Sequence, residues 1–178
     1  MTLLLAVLLR AGMIGAGLIF LTAGAQKWRH RDVLPGVIAN YGLLPNRTVL
    51  FVATVLPVLE CGVGIALLLG LSPFSQLLGG GLMLVFAAAM AINLSRGRKE
   101  IHCGCGRLDL RQHLRWSAVA RNLVIAALLF GSLTGLAVEN TMGFAAAVFA
   151  GIALWTGHML AEMIGALHMA AVPLRRRH

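Results

Sequence analysis

Long apolar runs dominate this chain, separated by short polar, glycine-rich or proline-containing breaks. Five runs cover about residues 3–25, 48–71, 74–94, 116–138 and 142–172, the last thinning beyond Ala166. A helix needs ~20 mostly apolar residues to cross a bilayer. Each run reaches that length, and none shows the strict alternation of a half-buried strand. Pro45, the Ser72-Pro73 pair and the Glu139-Asn140 pair fall where helices are expected to begin or turn. The pattern predicts an all-α integral membrane protein, a bundle of five transmembrane helices, with residues 1–178 forming a single membrane domain. The one long polar connection, about residues 95–115, is expected to be a loop. A cleaved signal peptide ending near Ala23-Gly24-Ala25 is disfavoured, because run one lacks a positive start and carries Arg10 inside its core.

Composition strengthens this picture. The chain is 59% hydrophobic and 12% charged, where soluble domains are roughly a quarter charged. Its 21 glycines suit close helix packing in lipid. The net charge of +9 would suggest nucleic acid if it were spread over a surface. Instead the cations sit at the ends of the apolar runs, where they set orientation and no nucleic-acid role is expected. Five crossings put the 26–47 loop, the 95–115 loop and the C-terminal tail on one side. All of the 15 Lys and Arg residues except Arg10 belong to that side. The positive-inside rule assigns it to the cytoplasm. Trp28, Tyr41 and Trp116 fit an aromatic belt at the same interface.

Candidate chemistry concentrates in the polar loop, at His102-Cys103-Gly104-Cys105-Gly106. A disulfide needs its Cα atoms within about 6.8 Å, and neighbours two apart reach that only through a tight turn. Gly104 permits the turn and Gly106 adds freedom behind it. The ring would be strained and readily reduced. His102, Lys99 and Arg107 favour the reactive thiolate. Cys103 and Cys105 are therefore expected to be a catalytic thiol pair, making the protein a thiol–disulfide oxidoreductase or a redox relay. A rival reading is metal handling. His102, Cys103 and Cys105, with His113, offer a soft site for Cu(I) or zinc, although structural zinc sites usually space their cysteines more widely. A third reading is a membrane anchor for a partner, without chemistry of its own.

A few polar residues interrupt the apolar runs, and intramembrane ionisable groups are functional candidates by default. Glu60 lies mid-run, and Arg10 enters from the other side to an estimated similar depth, so the two are expected to pair. Pro57 sits just before Glu60. Cys61, roughly 20 Å deep at ~1.5 Å per residue, reads as a buried inert thiol. His158 and Glu162 are four apart and share a helix face, and Arg121-Asn122 is placed to meet Glu162 beneath the cysteine loop.

Taken together, these stretches resemble the MauE family of methylamine-utilisation proteins, within the broader DoxX-like group. The resemblance rests on Ala23-Gly24-Ala25-Gln26-Lys27, Tyr41-Gly42-Leu43-Leu44-Pro45, Pro57-Val58-Leu59-Glu60, Asn93-Leu94-Ser95-Arg96-Gly97, Cys103-Gly104-Cys105-Gly106 and Arg121-Asn122, in that order. It covers about residues 8 to 130, giving a four-helix core plus one C-terminal helix. Many distant relatives carry an aromatic residue between the second cysteine and the glycine, where this chain goes straight to Gly106.

The resemblance implies a bacterial inner-membrane protein working with a membrane-anchored thioredoxin-like partner, MauD. It implies a role in maturing the small subunit of methylamine dehydrogenase, a periplasmic client rich in disulfides. A quinone would suit as electron acceptor if the pair oxidises its partner; no residue constellation in the sequence demands one. The client implies thiols reachable from outside, whereas the charges place the loop inside. Either the charge rule fails, or the loop folds into the membrane, or electrons cross the bilayer. Gly12, Gly15, Gly62, Gly64, Gly79, Gly80 and Gly81 are expected to let a partner's anchor helix pack closely.

Overall fold

The computed structural model describes residues 2–98, 114–134 and 141–175. Six α-helices occur among them: α1 (Thr2–Arg29), α2 (Leu34–Asn40), α3 (Asn46–Leu69), α4 (Phe74–Ser95), α5 (Trp116–Gly131) and α6 (Thr141–Arg175). All but α2 contain stretches long and apolar enough to cross a membrane, so the protein is a five-span α-helical membrane protein.

Local chemistry accounts for the ends. Pro45 is the extended residue ahead of α3, and Gly70 closes that helix in the left-handed conformation at φ 72°, a position that favours glycine. Pro35 sits in the first turn of α2, where its missing N–H costs nothing. α1 continues to Arg29, past the apolar boundary at Ala25, because Lys27 finds a buried partner described below. α5 ends at Gly131 and tightens into a 3₁₀ turn at Ser132–Thr134.

α1 packs along α3 and α6, α4 packs along α5, and the α1–α5 and α3–α4 contacts close a ring of α1, α3, α4 and α5. Met13, Phe20, Val63, Leu67, Met83 and Leu129 meet at its centre. α6 lies outside the ring against α1, with Trp155 touching the central cluster. Phe51, Leu69, Phe74 and Phe149 point outward and are largely exposed. In water such a surface would aggregate; in lipid it is the expected contact face.

Close approach of α1 and α3 depends on glycine. A Cβ built on Gly64 would lie 2.9 Å from the Gly17 carbonyl oxygen, and one on Gly24 would lie 2.7 Å from Cys61 Sγ. Of the glycines expected to receive a partner helix, Gly12, Gly15, Gly64, Gly79 and Gly80 are instead used against the protein's own helices. Gly62 and Gly81 face open space.

The two long antiparallel helices are offset. Lys27 and Glu60 stand at one level. From there α3 extends back 14 residues to Asn46, about 21 Å at ~1.5 Å per residue. α1 extends only two residues to Arg29. The volume beyond the end of α1 is roofed by α2, which packs on α3.

Candidate functional site

Lys27 Nζ donates to Glu60 Oε1 at 2.8 Å, with both side chains almost wholly buried. Glu60 therefore pairs with Lys27 and not with Arg10. Arg10 lies at the opposite end of the bundle. A Cβ on Gly70 would be 3.2 Å from its guanidinium nitrogens, and its guanidinium carbon stands 5.8 Å from the centre of the Phe144 ring. There it meets the C-terminal end of α3, where helix carbonyls favour a cation. The sequence placed Lys27 among the loop cations. Its signal was spacing: as the last residue of Ala23–Lys27, it shares a helix face with Gly24, the residue packed against Cys61 and Pro57.

A second pair ties α5 to α6. Arg121 Nη1 lies 3.3 Å from Glu162 Oε1, and His158 Nε2 lies 3.5 Å from the same oxygen. The expected meeting of Arg121 with Glu162, on the face shared with His158, is present. Trp155 Nε1 donates to Thr22 Oγ1 at 3.4 Å, fixing α6 to α1 at a neighbouring level.

Glu60 from the first pair and Arg121 from the second border one small chamber. A space of about 10 Å³ is lined by Glu60, Arg121, Asn122, His158 and Phe86, among others. Four of these residues carry buried atoms without a hydrogen-bond partner among the described residues: Glu60 Oε2, Arg121 Nε, Asn122 Nδ2 and His158 Nδ1. The volume suits about one water, and the lining supplies the polar partners a buried water needs. A charged, water-sized space thus sits inside the bundle.

On the other side of Lys27 and Phe86 lies a larger apolar cavity of about 370 Å³. It fills the volume left beyond the end of α1. Val52 and Leu56 contribute one stripe of α3, Val85, Ala89 and Ile92 one face of α4, and Leu34 and Ile38 the α2 roof. Among the described residues, Lys27 is its only charged lining residue. The Lys27–Glu60 pair therefore separates an apolar cavity from a polar chamber.

The reactive-loop candidates His102, Cys103, Gly104, Cys105 and Gly106 lie outside the described residues, as do Lys99, Arg107 and His113. The two stems of that segment are described. Arg98 donates to Asn93 Oδ1 at 3.4 Å and stands against Gly42. Leu114 is buried with Met90, Leu94 and Val119, and Tyr41 packs on that cluster. Both stems are thus pinned beside Tyr41-Gly42, and Tyr41 also lines the apolar cavity. Cys61 is a free thiol, partly buried against Gly24. Among the described residues, no three His, Cys, Asp or Glu side chains group as metal ligands.

Fold and interior together define a class: a multi-pass helical membrane protein with buried ion pairs, whose sequence carries a polar, cysteine-bearing connection between α4 and α5. The family model for methylamine utilisation protein MauE matches residues 3–138. The chain is 38% identical over 157 residues to the methylamine utilization protein MauE of Paracoccus denitrificans, covering 86% of this chain and 84% of that one. The corresponding protein of Paracoccus versutus is 35% identical over 153 residues, with 84% and 82% covered. That of Methylorubrum extorquens is 37% identical over 138 residues, with 73% and 74% covered. No solved structure matches the chain at a significant level. The chain belongs to the MauE family of methylamine utilisation proteins.

Proposed function

We propose that this protein is a thiol–disulfide redox component of the bacterial inner membrane, with Cys103 and Cys105 as its reactive pair. In this reading it works with a membrane-anchored, thioredoxin-like protein of the MauD kind. Together they serve disulfide formation and maturation of the methylamine dehydrogenase small subunit. The observation that carries the reading is the Cys103-Gly104-Cys105 spacing in the one long polar connection of a MauE-family membrane protein. The pinned stems support it, since Arg98 and Leu114 bring the two ends of the 99–113 segment together beside Tyr41-Gly42. A chain that is almost all membrane helix has little surface for selecting a large client, which favours a partner for that task.

Chemically, a thiolate of one protein attacks a disulfide sulfur of the other. A mixed disulfide forms, and the second cysteine resolves it as a thiolate leaves. One protein ends as the dithiol and the other as the disulfide, with no net loss of electrons. Gly104 and Gly106 give the turn its freedom, and His102 and the nearby cations favour thiolate.

The test is to co-express the chain with a partner whose resolving cysteine is removed and to run the purified complex on a non-reducing gel. A mixed disulfide through Cys103 or Cys105 is expected, and C103S/C105S should abolish client maturation while leaving the protein in the membrane. Full maturation in that double variant overturns the reading. Stoichiometric copper or zinc in the purified protein, lost with His102, would favour the metal reading instead.

A further inference from the structure

The 370 Å³ cavity beneath α2 has the construction of a ligand site. Its volume falls at the lower end of the range of small-molecule pockets, ~300–1,000 Å³. Its described walls are almost entirely aliphatic and aromatic, and among the described residues its single charged group is Lys27, which is 2% exposed. This charged point is a buried ammonium that presents only a small surface to the cavity. We propose that this cavity binds the ring head of a membrane quinone, with a ring carbonyl accepting a hydrogen bond from Lys27 Nζ.

Geometry selects this occupant over others. A phospholipid would leave its head at the bilayer surface and lay an acyl tail along the walls; a tail has no use for a buried ammonium. A fatty acid entering head-first would bring a carboxylate to a lysine already neutralised by Glu60 at 2.8 Å. A neutral carbonyl fits that pair without adding charge. An ammonium has three N–H donors, of which Glu60 Oε1 takes one. Phe86 lines the same space and lies 5.8 Å from Lys27 Nζ, giving a flat ring an aromatic neighbour.

The pair also faces the right surroundings for proton movement. Glu60 borders the water-sized chamber with Asn122, Arg121 and His158, and its Oε2 has no protein partner among the described residues. A carboxylate between a quinone site and a water-sized polar chamber can pass protons from one to the other. The acceptor role rests on the thiol reading above. Oxidation of Cys103 and Cys105 to a disulfide releases two electrons and two protons, and the quinone takes up both to become the quinol. Tyr41, on the cavity wall, packs in the same cluster as Leu114, where the thiol-bearing segment rejoins the bundle.

The experiment uses the full chain in lipid nanodiscs, photolabelled with an azido derivative of decylubiquinone. Saturable labelling is expected, displaced by decylubiquinone but not by oleate, with adducts in the peptides of α2, the first half of α3 and the second half of α4. Ala89→Phe and Val52→Trp, which fill the cavity without touching the ion pair, should each reduce labelling at least tenfold. An unchanged melting temperature will show that these variants are folded. C103S/C105S should label like the unaltered protein, which keeps failure of the thiol reading distinct from failure of this one. Labelling unaffected by both filling variants, adducts mapping elsewhere, or equal displacement by oleate overturns the proposal.

Discussion

Lys27 and Glu60 show what a single buried pair asks of a membrane protein. An unpaired charge among apolar helices is expensive, and each of these side chains removes the cost of the other. Lys27→Met leaves Glu60 fully buried without its cation, so it should lower stability by about 3–5 kcal/mol. K27M/E60L should recover much of that loss, and Glu60→Gln, which still accepts from Lys27, should be milder than K27M. Thermal unfolding in detergent reads all three. Arg10 provides the control. It sits at the other end of α3, so R10L and E60L should add independently; a coupling energy above about 0.5 kcal/mol would place them in contact. At this scale the sequence was legible in part. It marked Glu60, Arg121 and Glu162 as polar residues needing partners, and it joined Arg121 to Glu162. It misassigned Arg10 because depth estimates assume equal, aligned helices, whereas α1 and α3 are offset.

Between elements, contact is governed by where backbones approach. Gly24 and Gly64 sit at the α1–α3 seam, and a Cβ at either would press on backbone or sulfur at 3.0 Å or less. Gly24→Val should force the helices apart and lower stability by about 1–3 kcal/mol. Gly62→Ala, facing open space, should be neutral or slightly stabilising, because alanine is the better helix former by ~1 kcal/mol. Comparing their melting temperatures checks the seam. Cys61 belongs to the same seam: its small side chain fills the gap at Gly24, so Cys61→Ala should leave thiol exchange intact in a mixed-disulfide assay. Five spans were readable because hydropathy alone sets them. The short helix α2 was not, since seven residues around Pro35 carry too little periodicity to stand out. The apolar cavity was unreadable for a related reason. It arises from the offset between α1 and α3, which depends on the tertiary match of Lys27 to Glu60.

For the whole molecule, the decisive question is which membrane face the thiols use. The stems of the 99–113 segment stand beside Tyr41-Gly42, in the turn between α2 and α3. Residues near Asn46 are therefore at the same end of the bundle as Arg98 and Leu114, the stems of that segment, and the Ser72-Pro73 turn is at the other. This follows from packing and is independent of charge counting. A variant with Cys103 as its only cysteine should react with a membrane-impermeant maleimide from the same side as a cysteine placed at Asn46. A cysteine placed at Ser72 should react from the opposite side. The Lys and Arg bias assigns the Asn46 end to the cytoplasm, so labelling of intact spheroplasts should mark the Ser72 variant and spare the other two. If Cys103 and the Asn46 variant are labelled from outside together, the fold holds and the charge rule fails, and the thiols are reachable from outside, as the proposed role would require. If Cys103 is labelled from outside while the Asn46 variant is not, the pinned stems do not fix the thiols at that end. In the expected outcome the thiols face the cytoplasm. Under the proposed maturation role, electrons from a periplasmic client would then have to cross the bilayer before reaching these thiols, and the quinone proposed beneath α2 would accept them only afterwards, at the thiols' own end of the bundle.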